Sequence, residues 1–198
     1  MNPLLPVEAQ RGLVLASRSP RRADILRGLD FDFEIEPAAD HIEDGASNAD
    51  PYEHAMECAR LKARDVAGRR PMALCIGADT IVIVDGVALG KPKDDAEARD
   101  FLKLLSGRTH TVVTGVALRR ISDGVDLAAR ERTEVTFRVL SAEDIARYVA
   151  SGEGRDKAGS YAVQGLGAGL VRSIDGCFYN VVGLPVSLLF DLLKEASA

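Results

Sequence analysis

The chain lacks an excess of positive charge: 25 Lys and Arg stand against 30 Asp and Glu, a formal net charge of −5 over 198 residues. A general binder of nucleic-acid backbones needs the opposite balance, so no stable nucleic-acid partner is expected. Cysteine is sparse and odd in number. Cys58, Cys75 and Cys177 lie far apart, matching neither a disulfide framework nor zinc-ligand spacing. They read as small buried hydrophobes in a reducing cytoplasm. No apolar run is long enough to span a bilayer, so no membrane partner is expected. Met1 to Gly12 has neither a basic start nor an apolar core, and no signal peptide is expected there. Low-complexity tracts, internal repeats and linkers are also missing. His41, His54 and His110 form no ligand spacing, and no Ser–His–Asp or Cys–His arrangement can be argued. Gly165-Leu-Gly-Ala-Gly169 lacks the spacing and the following helix of a dinucleotide fingerprint.

What is there is an ordinary globular composition, 46% hydrophobic and 28% charged. The length fits a single domain over 1–198, with 1–12 as an N-terminal extension, and allows that domain two lobes. Strand-like and helical segments alternate irregularly, which indicates an α/β fold with a mixed sheet.

The chain is organised around Leu13-Val-Leu-Ala-Ser-Arg-Ser-Pro-Arg-Arg22. Leu13 to Ala16 reads as a short buried strand. Ser17-Arg18-Ser19 turns the chain, and Pro20 opens a helix, a position where its missing N–H costs nothing. Ser19 is the expected N-cap. Arg21 and Arg22 therefore fall in a first helical turn, where cations oppose the dipole unless an anion bridges them. Ser17, Ser19, Arg21 and Arg22 are candidate phosphate ligands; the alternative is a solvated charged helix start.

Further along, Phe31 to Glu36 reads as a strand and Pro37 to Asn48 as a mobile acidic loop. Asp50-Pro51-Tyr52-Glu53 opens a helix to about Val66. Its inward stripe is Ala55, Cys58, Ala59 and Lys62, and a lysine there either snorkels or meets an anion. Met72 to Ile76 and Thr80 to Val84 read as strands interrupted by Gly77-Ala78-Asp79, with a hairpin at Asp85-Gly86. A helix is expected over 94–105, β-rich segments over 109–119 and 126–140, and a helix from Ser141 to about Ala150. Gly152 to Gly169 is rich in glycine, and its run from Asp156 to Gln164 reads as a polar recognition loop. Leu170 to Ile174 and Cys177 to Val182 read as strands, and a last helix starts near Leu184-Pro185.

Asp79 lies between two apolar runs, so its carboxylate is paired, binds a metal, or hydrogen-bonds the glycine turn. Oxygen ligands favour magnesium or manganese. Glu34, Glu36, Glu43 and Asp44 are further acids that either join a metal or stay solvated. Thr80 either orients a ligand or continues the strand. Lys91, in Gly90-Lys-Pro92, is a surface lysine or a phosphate ligand; with Lys62, Arg21 and Arg22 it would neutralise most of a triphosphate's charge.

These motifs occur together with Asp156-Lys-Ala-Gly-Ser-Tyr161, Val163-Gln-Gly165 and Asn180-Val-Val-Gly-Leu-Pro185. The set closely resembles the Maf family of nucleotide pyrophosphatases, also called septum formation proteins, from Leu13 to about Leu193. The resemblance implies an inosine triphosphate pyrophosphatase-like fold: a mixed sheet flanked by helices, two lobes and a central cleft. It also implies a divalent metal cofactor (Mg or Mn), a homodimer, and hydrolysis of a nucleoside triphosphate to monophosphate and pyrophosphate. Asp79 matches the catalytic Asp, usually described as the general base, and is with Glu43 an expected metal ligand. Arg21, Thr80 and Gln164 match positions tied to substrate choice; Ser17, Arg22, Lys62 and Lys91 match the polar lining.

The Gln164 amide can both accept from and donate to thymine or uracil, and flipped it serves cytosine. Ala162-Val-Gln-Gly resembles the dTTP/UTP subgroup, whereas the 7-methyl-GTP subgroup carries an acid in place of the glutamine. Gly90-Lys-Pro92 resembles both. The expectation is a house-cleaning dTTP/UTP pyrophosphatase. The alternatives are a 7-methyl-GTP pyrophosphatase and a non-catalytic, nucleotide-binding regulator of septum formation.

Overall fold

A computed structural model describes residues 1–46 and 50–198. Its strands form one mixed sheet: β1 (Leu13–Leu15), β2 (Phe33–Ile35), β3 (Leu74–Val84), β4 (Val87–Leu89), β5 (Thr109–Arg120), β6 (Val125–Phe137) and β7 (Val171–Asp175). The order is β2-β1-β3-β5-β6-β7, with β4 paired to β3 off that path. β1 runs parallel to β2 and β3, while β3–β4 and β6–β7 are antiparallel. The helices are α1 (Pro20–Gly28), α2 (Pro51–Arg69), α3 (Asp95–Leu105), α4 (Ala142–Ser151), α5 (Phe178–Val182) and α6 (Val186–Glu195). No helix among the described residues is long and apolar enough to cross a membrane.

The chain divides into two compact units. Unit 1 is Met1–Asp79, Thr114–Glu131 and Gly183–Ala198; unit 2 is Thr80–Val113 and Arg132–Val182. Residues of β3, β5 and β6 belong to both.

In unit 1 the whole of β1 is buried, as an apolar strand with a neighbour on each side must be. α2 starts where Asp50 accepts the Tyr52 N–H at 2.9 Å and Pro51 takes the first helical position. It continues to Arg69, past the expected end at Val66, because Ala67 and Gly68 interrupt nothing before Arg70 leaves helical geometry. Its Ala55, Cys58, Ala59 and Lys62 stripe is buried as expected. Val14, Ala16 and Cys75 pack with Val66 and Ala67.

β3 crosses Gly77-Ala78-Asp79 without a break, so the two strands expected there are one. Gly77 shows why a glycine is present. A Cβ would lie 2.1 Å from the Ala59 carbonyl oxygen, so the residue marks a close approach of α2 to the strand and not a turn.

Unit 2 has its own core, in which Leu102 and Leu105 of α3, Val135 and Phe137 of β6, and Ile145 and Val149 of α4 meet. α4 carries a full capping box, with Ser141 accepting the Asp144 N–H and the Asp144 carboxylate accepting the Ser141 N–H. The run Cys177 to Val182 is not a strand. Phe178–Val182 is the short helix α5, and buried Asn180 donates to the Val112 carbonyl at 2.9 Å and to Thr133 Oγ1 at 3.0 Å. A six-residue run of mostly apolar residues does not distinguish strand from helix by periodicity. Cys58 and Cys75 are buried as expected, whereas Cys177 is only half-buried; all three are free thiols. Of the loop expected over 37–48, Ile42–Gly45 forms a 3-10 turn, and residues 47 and 48 lie outside the described residues.

Candidate functional site

Strand β1 delivers Ser17 to the start of α1. Ser17 Oγ accepts the Ser19 N–H at 3.2 Å and the Arg22 Nη1–H at 3.0 Å. Arg22 Nε donates to the Gly183 carbonyl at 2.8 Å, a partner 161 positions away. The Arg22 residue is only 8% exposed. Burial lowers the pKa of its guanidinium; the Asp79 carboxylate acts in the opposite sense, and neighbouring Arg21 adds to the lowering. Ser19 holds the N-cap position, but its side chain makes no capping bond. The Ser17 hydroxyl closes the turn instead, by taking Ser19's own N–H. This corrects the expected capping role of Ser19.

Lys62 is the centre of the second half of this cluster. Its Nζ lies 2.5 Å from Glu43 Oε1 and 2.7 Å from Asp79 Oδ1, and donates to the Ala78 carbonyl at 3.4 Å. The Lys62 and Asp79 side chains are 11% and 16% exposed, and Glu43 is 51% exposed. A buried ammonium of this kind is retained only when paired and hydrogen-bonded. Glu34 and Glu36 are drawn off elsewhere, to Arg70 and Arg69 at 2.8 and 2.7 Å, and Asp44 lies against His41. Glu43 alone of these four acids reaches Lys62. The thiol of Cys58 is pushed up to about 12, first by burial and then by Asp79, which makes it inert.

Unit 1 thus brings together Ser17, Arg22, Lys62, Asp79 and Glu43, with half-buried Arg21 next to Arg22 on α1. Unit 2 holds the other candidates. Thr80 follows Asp79 along β3 and is half-buried; Lys91 is exposed. Its loop is tied to the Asp156–Tyr161 segment, where the Gly159 N–H donates to the Gly90 carbonyl at 3.1 Å. Gln164 is exposed at the entry to a 3-10 turn over Gly165–Leu170. Sequence reasoning missed Glu153, which binds the backbone of that turn. The available signal was an acid set between Gly152 and Gly154.

The donor set can be tested against a divalent metal on its chemistry. Among the described residues no group of three or more His, Cys, Asp or Glu is placed to hold an ion. Asp79 and Glu43 are two hard carboxylates converging on one ammonium. Magnesium is commonly held by one or two carboxylates, with substrate phosphates and water completing its shell. The residues fit that mode and do not form an all-protein cage.

Fold and cluster together define an α/β protein with a cluster of paired, largely buried charges in unit 1. The chain belongs to the Maf family: the model described as Maf-like protein matches residues 12–196. It is 46% identical over 184 residues to a dTTP/UTP pyrophosphatase of Thermoanaerobacter sp., covering 92% of this chain and 95% of that one. A dTTP/UTP pyrophosphatase of Symbiobacterium thermophilum is 48% identical (92% and 93% covered), and one of Deinococcus radiodurans 42% (97% and 96%). Among solved structures, a nucleoside-triphosphatase, dITP/XTP pyrophosphatase, of Mycobacterium abscessus aligns at 21% identity and TM-score 0.43, covering 66% of this chain and 76% of its own.

Proposed function

We propose that this protein hydrolyses dTTP and UTP to the nucleoside monophosphate and pyrophosphate in the cytoplasm. The observation that carries the proposal is Lys62, buried between Asp79 and Glu43 beside the Arg22–Ser17 pair, in a chain whose relatives bear that name. In this reading Arg21, Arg22 and Lys62 bind the phosphate chain, with Lys91 as a further cation, and offset charge growing on the leaving pyrophosphate. Phosphate oxygens offer Lys62 new partners, which releases Asp79 Oδ1 to take the proton of a water molecule. That water's oxygen bonds to the α-phosphorus, the bond to the bridging oxygen of the β-phosphate breaks, and pyrophosphate leaves. Asp79 and Glu43 would hold a magnesium or manganese ion, which supplies charge neutralisation and Lewis acidity when bound. Gln164 reads the pyrimidine edge through its amide, and Thr80 supports the choice of substrate. Three free cysteines suit a reducing compartment, and a homodimer is the assembly carried over from the family.

The test is pyrophosphate release from dTTP, UTP, CTP, 7-methyl-GTP and purine triphosphates, with and without magnesium or manganese. Metal-dependent release fastest from dTTP and UTP is expected. Preference for 7-methyl-GTP would overturn the substrate, and binding without turnover would favour the regulator.

A further inference from the structure

Gln164 sits on the exposed tip of a turn, with Gly165 and Leu166 also exposed, between buried Val163 and buried Gly167. An amide reads a base edge only if its backbone is fixed, because a loose turn spends binding free energy on ordering itself. Buried Val163 and Leu170 anchor the ends of the Gln164 turn, and four hydrogen bonds converging on two side chains fix the exposed tip between them.

Glu153 Oε1 accepts the Leu166 N–H at 2.9 Å, and Oε2 accepts the Gly167 N–H at 2.8 Å. The Tyr148 hydroxyl donates to the same Oε2 at 2.9 Å and accepts the Ala162 N–H at 3.1 Å. The turn is thereby gripped two residues before Gln164 and two and three residues after it. Gly165 has φ +68°, and a Cβ there would stand 2.3 Å from Glu153 Oε1, so the turn is pressed directly onto the carboxylate. Glu153 is itself held: its N–H donates to Ser151 Oγ at 3.3 Å, and its carbonyl accepts Lys157 Nζ at 2.5 Å. Burial raises the Glu153 pKa, but the bonds from Leu166, Tyr148 and Gly167 outweigh it and leave the carboxyl below its ordinary range. Burial likewise raises the Tyr148 pKa, keeping the phenol protonated as a donor.

We propose that Glu153, with Tyr148 as its partner, is the positioning residue for base selection: it acts through the backbone of 162–167 to hold the Gln164 amide in reading geometry. This rests on the proposed role of Gln164. Only an ionised carboxylate offers acceptors to all three donors at once. A glutamine at 153 turns an N–H toward one of them and leaves a backbone donor unmade.

The experiment is a double-mutant cycle on the full-length protein, reading the ratio of kcat/KM for dTTP to that for 7-methyl-GTP, with thermal melting alongside. Glu153→Gln is expected to lower the ratio about tenfold, corresponding to about 1.4 kcal/mol, with the loss mainly in KM. Tyr148→Phe, which keeps the ring, is expected to lower it about threefold. In a Gln164→Ala background neither change lowers the ratio further, because the amide they position is gone. A purely structural role would instead reduce both substrates alike and add to Gln164→Ala. Equal losses for both substrates, or additivity in the cycle, would overturn the proposal while leaving Gln164's role intact. A wild-type enzyme with no pyrimidine preference, or a Gln164→Ala variant that keeps it, would overturn both. If Glu153→Gln does not fold, the Tyr148→Phe pair decides alone.

Discussion

The two groups of candidate residues, one in each unit, are built by opposite means. In unit 1, charged side chains stand on regular elements: Lys62 of α2 meets Asp79 of β3 directly, and Arg22 of α1 feels the charge of Asp79. In unit 2 the Gln164 turn is irregular, and backbone N–H groups bound to Glu153 and Tyr148 give it shape. The first arrangement suits charge that must be present on every substrate; the second suits a preference that can be tuned by small movements. Damage to unit 1 should therefore remove turnover, and damage to the turn should change what is turned over.

The largest effect expected is that of Asp79→Asn, which keeps the shape but removes the proton acceptor and one carboxylate on Lys62. Turnover of dTTP should fall by about a thousandfold or more, measured as pyrophosphate release at saturating substrate. Full turnover in this variant would remove Asp79 from the mechanism.

A structural test in the same unit is Gly77→Ala. Its Cβ would meet the Ala59 carbonyl at 2.1 Å and the Ala63 N at 2.8 Å, both backbone, so α2 and Lys62 must shift. Denaturant unfolding should report a loss of about 3 kcal/mol or more, with activity falling in parallel.

Unit 2 is expected to show its own response to pH. His110 is buried, donates to or accepts from the Tyr161 hydroxyl at 2.8 Å, and stacks edge-on against Phe137. Burial pushes its pKa down to about 4, against a small opposing effect of Glu134. The unfolded chain therefore binds this proton more readily than the folded one. Stability from His110 is full above about pH 6.5 and is lost as pH falls toward 4, by roughly 3 kcal/mol in all. Urea midpoints across that range should fall in wild type, and this component of the slope should vanish in His110→Phe. The smallest effect is that of Ser141→Ala, which breaks the capping box of α4 and should cost about 1 kcal/mol without altering substrate preference.

The same contrast explains what was legible in the sequence. The β1–α1 unit could be read because an apolar run, a proline at the first helical position and an arginine pair are local signals. Lys62 stood out because it broke an apolar helical stripe. Arg22's anchor could not be read, since Gly183 lies 161 positions away and contributes only a carbonyl. Ser19 looked like a cap because position and residue type were right, yet the neighbouring Ser17 hydroxyl took the bond that fixes the turn. Gly77-Ala78-Asp79 looked like a break because glycine usually interrupts a strand, whereas here it admits a helix. Glu153 gave little signal beyond its flanking glycines, because two of its partners are backbone groups 13 and 14 residues on, whose identity the side chains there do not record.

The division of labour is tested most directly by measuring kcat/KM for dTTP and 7-methyl-GTP in Lys62→Ala and Gln164→Ala. Lys62→Ala should lower both substrates by the same large factor and leave their ratio unchanged. Gln164→Ala should collapse the ratio while the slower substrate is turned over nearly as before. A changed ratio in Lys62→Ala, or an equal loss on both substrates in Gln164→Ala, would contradict the account.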